Sequence, residues 1–295
     1  MGVNICVAGS KSGREEFCRS LGKKGSSDDF TFYNTSYSGK RIHLIEPTAY
    51  PGKIDSLIDS VALSDFTVLV VGEINAEFGE TVLILDLMSP KGFFVTDADI
   101  SQYVKGTSLE NWKRLGMEAA RRAVLEELKP EEKTGEPLVL VDHSFEVKGV
   151  GSVLLGVVKS GGLCVHDRLI SNPGGQALEV RSIQKNDVEE KEAGSSDRIG
   201  LAIKGLTSKE VHRGAVLSKS PLPSASEIPQ SSVIYSKFAA KDSKTLHAYH
   251  CLQSSPCRVE GGKIVFEKPI ALVPGQPLIL CDLNRKMRAV GKAAF

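Results

Sequence analysis

From Leu138 onward the chain turns into short β-branched runs broken by glycine: LVLVDHSFEV, GSVLLGVVKSG, RLISN, LEVRSIQ, RIGLAIKG and AVLSK. Strands that follow one another without helices between them pair antiparallel, and this spacing predicts a small barrel. A Pro- and Ser-dense linker, SPLPSASEIPQSS, separates them from a further β-rich stretch running from SSVIYSKFAA to GKAAF.

The first part of the chain reads differently. VNICVA at 3–8 is a buried strand delivering its end to a polar turn, and a helix follows from about Gly13 to Leu21. IHLIE at 42–46, FTVLVVG at 66–72 and GFFVT at 92–96 are strands. Between the first two lies IDSLIDSVALS, whose Ile54, Leu57, Ile58 and Val61 have helical spacing, and TVLILDLM is a second helix. Strands alternating with helices predict a parallel sheet. A long helical pattern from Glu110 to Leu128 ends at Pro130 and the charged EEKTGEP. Length alone suggests two domains at about 150 residues each, but the pattern gives three: an α/β domain at 1–129 and β-barrels at 136–222 and 229–295.

With 37 Lys+Arg against 36 Asp+Glu, bulk charge cannot hold this chain to nucleic acid, so a polyanion must meet a local patch. Cys6, Cys18, Cys164, Cys251, Cys257 and Cys281 form no CxxC pair, which predicts reduced thiols, no metal and a cytoplasmic location. Cys251 and Cys257 flank LQSSP and could form a redox or metal pair, but no further ligand stands at the right spacing. His43, between Ile42 and Leu44, reads as a packing residue. No apolar run reaches the ~20 residues of a membrane span, and MGVNICVAGS lacks signal-peptide and myristoylation patterns.

The first turn, GSKSGREE, invites comparison with the phosphate-binding pattern GxxxxGK[ST]. Gly9, Lys11 and Gly13 fit a Gly-bounded turn, but Arg14 and Glu15 stand where Lys and a magnesium-binding hydroxyl are needed. Gly-rich strand-to-helix turns are common, so the turn by itself reads as a plain βα connection.

The β-rich segments carry a more specific signal. HSFEVKGVGSVLLGVVKSGGLCVHDRL at 143–169, EVRSIQ at 179–184 and AGSSDRIGLAIKGLTSKEVHRGAVLS at 193–218 resemble the second domain of the translational GTPases of the elongation factor Tu group, in particular the selenocysteine-specific elongation factors. LHAYHCLQSSPCRV at 246–259 and EKPIALVPGQPLILCDLNRKMRAVGKA at 267–293 resemble their third domain. The resemblance implies a degenerate P-loop GTPase-like α/β domain followed by two β-barrels of the elongation factor type.

Set against that family, the nucleotide motifs fail. Glu46 to Tyr50, EPTAY, stands where DxPGH is required, and TDAD at 96–99 stands for [NT]KxD, with Asp97 replacing the Lys. Asp99 alone could meet guanine, and the switch segment between Gly22 and Gly39 is short. The resemblance therefore implies a pseudo-GTPase with no catalytic residues and no cofactor. The fourth domain that selenocysteine factors use for their mRNA hairpin is also expected to be absent.

What the resemblance leaves is tRNA binding. Positions matching the family's pocket for the tRNA 3′ end are Asp142, His143, Phe145, Val147 and Gly149, with Arg198 and Lys204 as cations. Lys241, Lys244, His247, His250 and Arg258 are candidate backbone contacts from the third domain, and Arg285, Lys286 and Arg288 form a second basic strip. Taken singly, Phe145 reads as a core residue rather than a stacking platform, and each third-domain cation as a solvated charge. The expected protein is a monomeric tRNA binder without nucleotide control, with the ribosome a further candidate partner and no membrane. Two alternatives stay open: a divergent GTPase using Lys11 or Arg14, and a protein-interaction scaffold.

Overall fold

The computed structural model describes residues 2–237, 239 and 242–295. The first domain comprises β1 (Gly2–Gly9), α1 (Lys11–Leu21), β2 (Lys23–Ser27), β3 (Thr31–Tyr37), β4 (Lys40–Glu46), α2 (Ile54–Leu63), β5 (Phe66–Val70), α3 (Ala76–Met88), β6 (Gly92–Val95), α4 (Ser101–Val104), β7 (Lys113–Leu115) and α5 (Met117–Arg122), which runs on as a π-helical turn through Glu127. The sheet order is β2-β3-β4-β1-β5-β6-β7, parallel except where β2, β3 and β4 pair antiparallel.

β1 lies between β4 and β5 and is buried along its whole length, as a central parallel strand must be. Its side chains alternate between two cores. Val3, Ile5 and Val7 pack with Phe17 of α1 and Ala120 of α5, whereas Cys6 and Ala8 pack with Leu57 of α2 and Ile84 of α3.

Two sequence expectations change here. Lys113–Leu115 is not helical; it pairs in parallel with β6, and the helix starts only after Gly116. An edge strand can be charged because one side faces water, so its composition mimicked a helix face. The segment expected as a short switch loop is instead an ordered strand pair, β2 and β3, whose Phe32 and Tyr33 are buried.

The second domain comprises β8 (Leu138–Val147), β9 (Gly151–Ser160), β10 (Gly162–Cys164), β11 (Arg168–Asn172), β12 (Gln176–Lys185), β13 (Val188–Glu190), β14 (Glu192–Gly194), β15 (Arg198–Lys204) and β16 (Val216–Ser218). The ring β11-β16-β8-β9-β15-β12 closes through β11–β12 into a six-strand barrel.

The third comprises β17 (Ser224–Pro229), β18 (Ile234–Tyr235), β19 (Thr245–His250), β20 (Gln253–Glu260), β21 (Lys263–Ala271), β22 (Leu278–Cys281) and β23 (Ala289–Ala293). Their order, β17-β21-β20-β19-β22-β23-β18, is an open sheet rolled into a half-barrel. β17 falls inside the stretch read as a linker; it sits at the sheet edge, where a terminal proline is tolerated.

The three units share cores. α3 is apolar almost all round because one side covers the first sheet and the other meets Tyr249, Ile279, Cys281 and Ala289 of the third unit. A further cluster joins Phe30, Phe32 and Leu63 to Leu140 and Val157 of the barrel and Leu252 and Val273 of the third unit. Among the described residues no helix is long and apolar enough to cross a membrane.

Candidate functional site

The first turn is tight and fixed to its neighbour. Gly9 has φ +114°, and a Cβ there would fall 1.9 Å from the Val70 carbonyl oxygen. The Ser10 amide donates to that same oxygen at 3.2 Å, and α1 begins at once with Lys11. Gly13 is equally confined, since a Cβ would meet Ser10 Oγ at 2.8 Å. A cavity of about 240 Å³ opens outside, lined by Gly9, Ser10, Lys11, Ser12, Gly72 and Glu77 among others.

Arg14 points the other way. It is wholly buried, and its guanidinium donates to the Gly9 carbonyl at 2.9 Å, the Tyr50 carbonyl at 2.7 Å and Glu46 Oε1 at 3.4 Å. Glu46 also accepts from Tyr33 Oη at 3.1 Å, and Glu77 approaches Arg14 at 3.7 Å. The acid retained at position 46 is thus the counter-charge of a buried arginine. The Glu15 carboxylate, expected to intrude on a phosphate, lies on the exposed side of α1 and pairs with Arg19 at 2.7 Å.

Tyr50 carries this network onward. Its hydroxyl, raised in pKa by burial, donates toward the Glu77 carbonyl at 3.1 Å and Glu80 Oε2 at 3.2 Å. Glu80 in turn accepts from the Arg288 guanidinium of the third unit at 2.9 and 2.5 Å. Arg288, read from sequence as part of a surface strip, is therefore a domain-joining residue. Asp97 is exposed, but Asp99 is engaged: it accepts from the Ser101 amide and hydroxyl and from Arg114 at 2.9 Å. Those Ser101 hydrogen bonds hold its carboxyl below the usual range.

The barrel divides the expected RNA contacts into two groups. Asp142 is the extra residue of a β-bulge between Val141 and His143, which turns its carboxylate into the junction with the first domain. There it forms a bidentate pair with Arg198 and accepts from His143 at 2.6 Å. Burial would raise the Asp142 carboxyl, but Arg198 and His143 hold it below its ordinary value. Arg198 also lies 3.8 Å above the Phe32 ring of β3. Asp142 and Arg198, expected as RNA contacts, instead form a largely buried pair within the barrel that rests on Phe32 of the first domain, and His143 sits at its edge against Phe30.

His250 is a second correction. It is 1% exposed, donates from Nδ1 to the Pro277 carbonyl and accepts the Val273 amide at Nε2. Phe145, Lys204, Lys244 and Arg258 are exposed, and His247 is half-buried beside Tyr249. Lys241 lies outside the described residues.

Register places Phe145 opposite Val153 and Val153 opposite Ala202, while His143, Leu155 and Gly200 form the neighbouring row. Alternation puts these side chains on the outer wall of the barrel, with Lys204 on the same face two residues beyond Ala202. The result is a flat apolar strip with 42%-exposed Phe145 and a cation at its rim. Sequence reasoning missed the groups that dock the first domain: Arg213, paired with Asp29 at 2.9 Å and Asp59 at 2.5 Å, and Phe30 and Phe32. The aromatic TFY of β3 was the available signal. The described cysteines are all free thiols, and no group of three or more His, Cys, Asp or Glu among the described residues could hold a metal.

No family model matches the chain. It is 35% identical over 289 residues to uncharacterized protein MJ0325 of Methanocaldococcus jannaschii, covering 92% of this chain and 94% of that protein. It is 28% identical over 228 residues to the selenocysteine-specific elongation factor of the same organism, covering 66% of this chain but only 48% of that factor. The translation elongation factor SelB of Methanococcus maripaludis, solved with the GTP analogue GppNHp, superposes with a TM-score of 0.79 at 19% identity, covering 99% of this chain and 79% of that one. The bulged barrel, the half-barrel docked on α3 and these likenesses agree: the chain has the three-unit fold of the translation elongation factors and is similar in sequence to one of them over its matched part.

Proposed function

We propose that this elongation-factor-like protein binds tRNA through its β units without nucleotide control. The observation that carries the reading is Arg14. A magnesium nucleotide needs a roomy loop, an outward cation and a hydroxyl after it. Here the turn is seated on Val70, the cation faces inward and Glu15 follows it. The residues present do not fit that ligand. Arg14, Tyr50, Glu80 and Arg288 hold the first and third domains together with the protein's own groups, so the barrel strip is presented without a switch.

The strip suits the end of a single-stranded RNA. Phe145 and its small neighbours offer a face for a base, and Lys204 a charge for its phosphate. Lys244 and Arg258, near one another at the β19–β20 end, supply further backbone contacts.

Filter binding with tRNA, with and without GTP and magnesium, tests both halves. Equal affinity in the two series, falling with salt as counterions are released, is expected. Absence of binding at low salt defeats RNA binding, and a GTP requirement defeats nucleotide independence. The rival reading, a divergent GTPase, draws on the exposed Lys11 at the mouth of the outer cavity. Micromolar GTP affinity by calorimetry, lost in Lys11→Ala, would establish it.

A further inference from the structure

We propose that the cleft where the three domains meet binds a small phosphate ester, with Lys159 as its buried anchor. The cleft measures about 550 Å³ and is bounded by the C-terminal ends of α2 and α3, the segment from Glu127 to Lys133, Lys159 of β9 and the loop at Gly275–Pro277. That size is typical of small-molecule sites.

Lys159 is 8% exposed, and its ammonium donates to the Ser64 carbonyl at 2.9 Å. Among the described residues no carboxylate comes within ion-pair distance of it. A lysine has three N–H donors, so two remain without a described partner, and a buried, unpaired ammonium is strongly disfavoured. Asp65, an acid close enough to act on it, is already engaged by the Asn4 amide at 2.9 Å and the Ser196 hydroxyl at 2.8 Å. Burial accordingly pulls the Lys159 amine down to about 8. An anion in the cleft would compensate the charge that burial leaves unpaired.

The rim is mixed in charge but has one more cation than anion, three lysines against Glu127 and Glu131. Lys91, Lys129 and Lys133 line the opening; Lys91 is paired with Glu131 at 2.5 Å, whereas Lys129 and Lys133 have no ion-pair partner among the described residues. Several lysines lining one cleft suit a phosphate better than a single carboxylate. Val61, Ala62, Phe66, Met88 and Pro277 form apolar walls, which fit the body of an ester rather than a free ion.

Calorimetry on the full chain at low salt without magnesium, using AMP and inorganic pyrophosphate as probes, tests this. AMP is expected to bind more tightly than pyrophosphate. Lys159→Met should weaken AMP by about tenfold or more while leaving the ligand-free melting temperature unchanged or raised, since a desolvated charge is removed. Should that variant fail to fold, Lys129→Ala combined with Lys133→Ala, both on the exposed rim, should weaken AMP several-fold. No binding of either probe at millimolar concentration overturns the proposal. So does binding indifferent to these substitutions, and pyrophosphate binding without AMP overturns the ester assignment.

Discussion

β11 pairs with β12 and closes the first β unit into a ring, whereas β17 and β18, at the two ends of the other sheet, do not pair. The closed unit meets the first domain through an apolar cluster of Phe30, Phe32 and Leu63 with Leu140 and Val157, bordered by several charged contacts: Arg198 on Phe32, Arg213 on Asp29 and Asp59, and Asp197 on the Gly2 amide. The open unit meets it through a shared apolar core, with Tyr249 and Ile279 against α2 and α3. A ring buries its own interior and can leave its outer wall to a ligand. A half-barrel must borrow a neighbour to complete its burial, so its position is fixed by folding itself.

The largest expected effect is at Glu80, the polar centre of the half-barrel junction. Glu80→Ala leaves Arg288 unpaired and should cost about 3–5 kcal/mol, read from urea unfolding. Its amide-exchange signature should appear in both α3 and β23; confinement to α3 would show that the third unit stands alone. Ile279→Ala should cost about 3 kcal/mol and loosen the first and third units together, while Leu154→Ala, inside the ring, should loosen the barrel alone.

Acid should separate the two junctions. His43 is buried, with its Nδ1 2.7 Å from Asn34 Oδ1, and burial, with Arg198 adding to it, lowers its pKa to about 4. Its folded value lies below the unfolded 6.5, so the unfolded chain takes up the proton first. The contribution of neutral His43 is present above about pH 6.5 and is lost as pH falls toward 4, by up to about 3 kcal/mol. The barrel junction, whose Arg198 and Asp197 lie near His43, should then loosen before the half-barrel junction, and His43→Gln should flatten the slope. The smallest effect is on the free wall: Phe145→Ala should weaken tRNA by about 1 kcal/mol and leave the melting temperature within error.

Much of this architecture was legible because periodicity reports burial. VNICVA, FTVLVVG and GFFVT are continuous apolar runs, and they became β1, β5 and β6. KRL at 113–115 was misread because an edge strand pairs through its backbone and needs no apolar side chains. The site was harder to read. Composition shows that Asp142 and Arg198 carry opposite charge, but not that a bulge turns the aspartate into a domain junction. The first turn shows an arginine out of pattern, but not that its guanidinium faces two carbonyls inside the fold. Lys159 gave no signal at all, because a lysine on a strand looks solvated until three domains close over it.

Because a Cβ at Gly9 would fall 1.9 Å from the Val70 oxygen, the turn admits neither a side chain nor an inserted residue without displacing β5. Replacing Arg14 first would strand Glu46 inside the protein, and lengthening the loop first would break the Ser10–Val70 bond. Remodelling this turn therefore calls for coordinated changes at Gly9, Arg14 and Glu46 rather than one substitution.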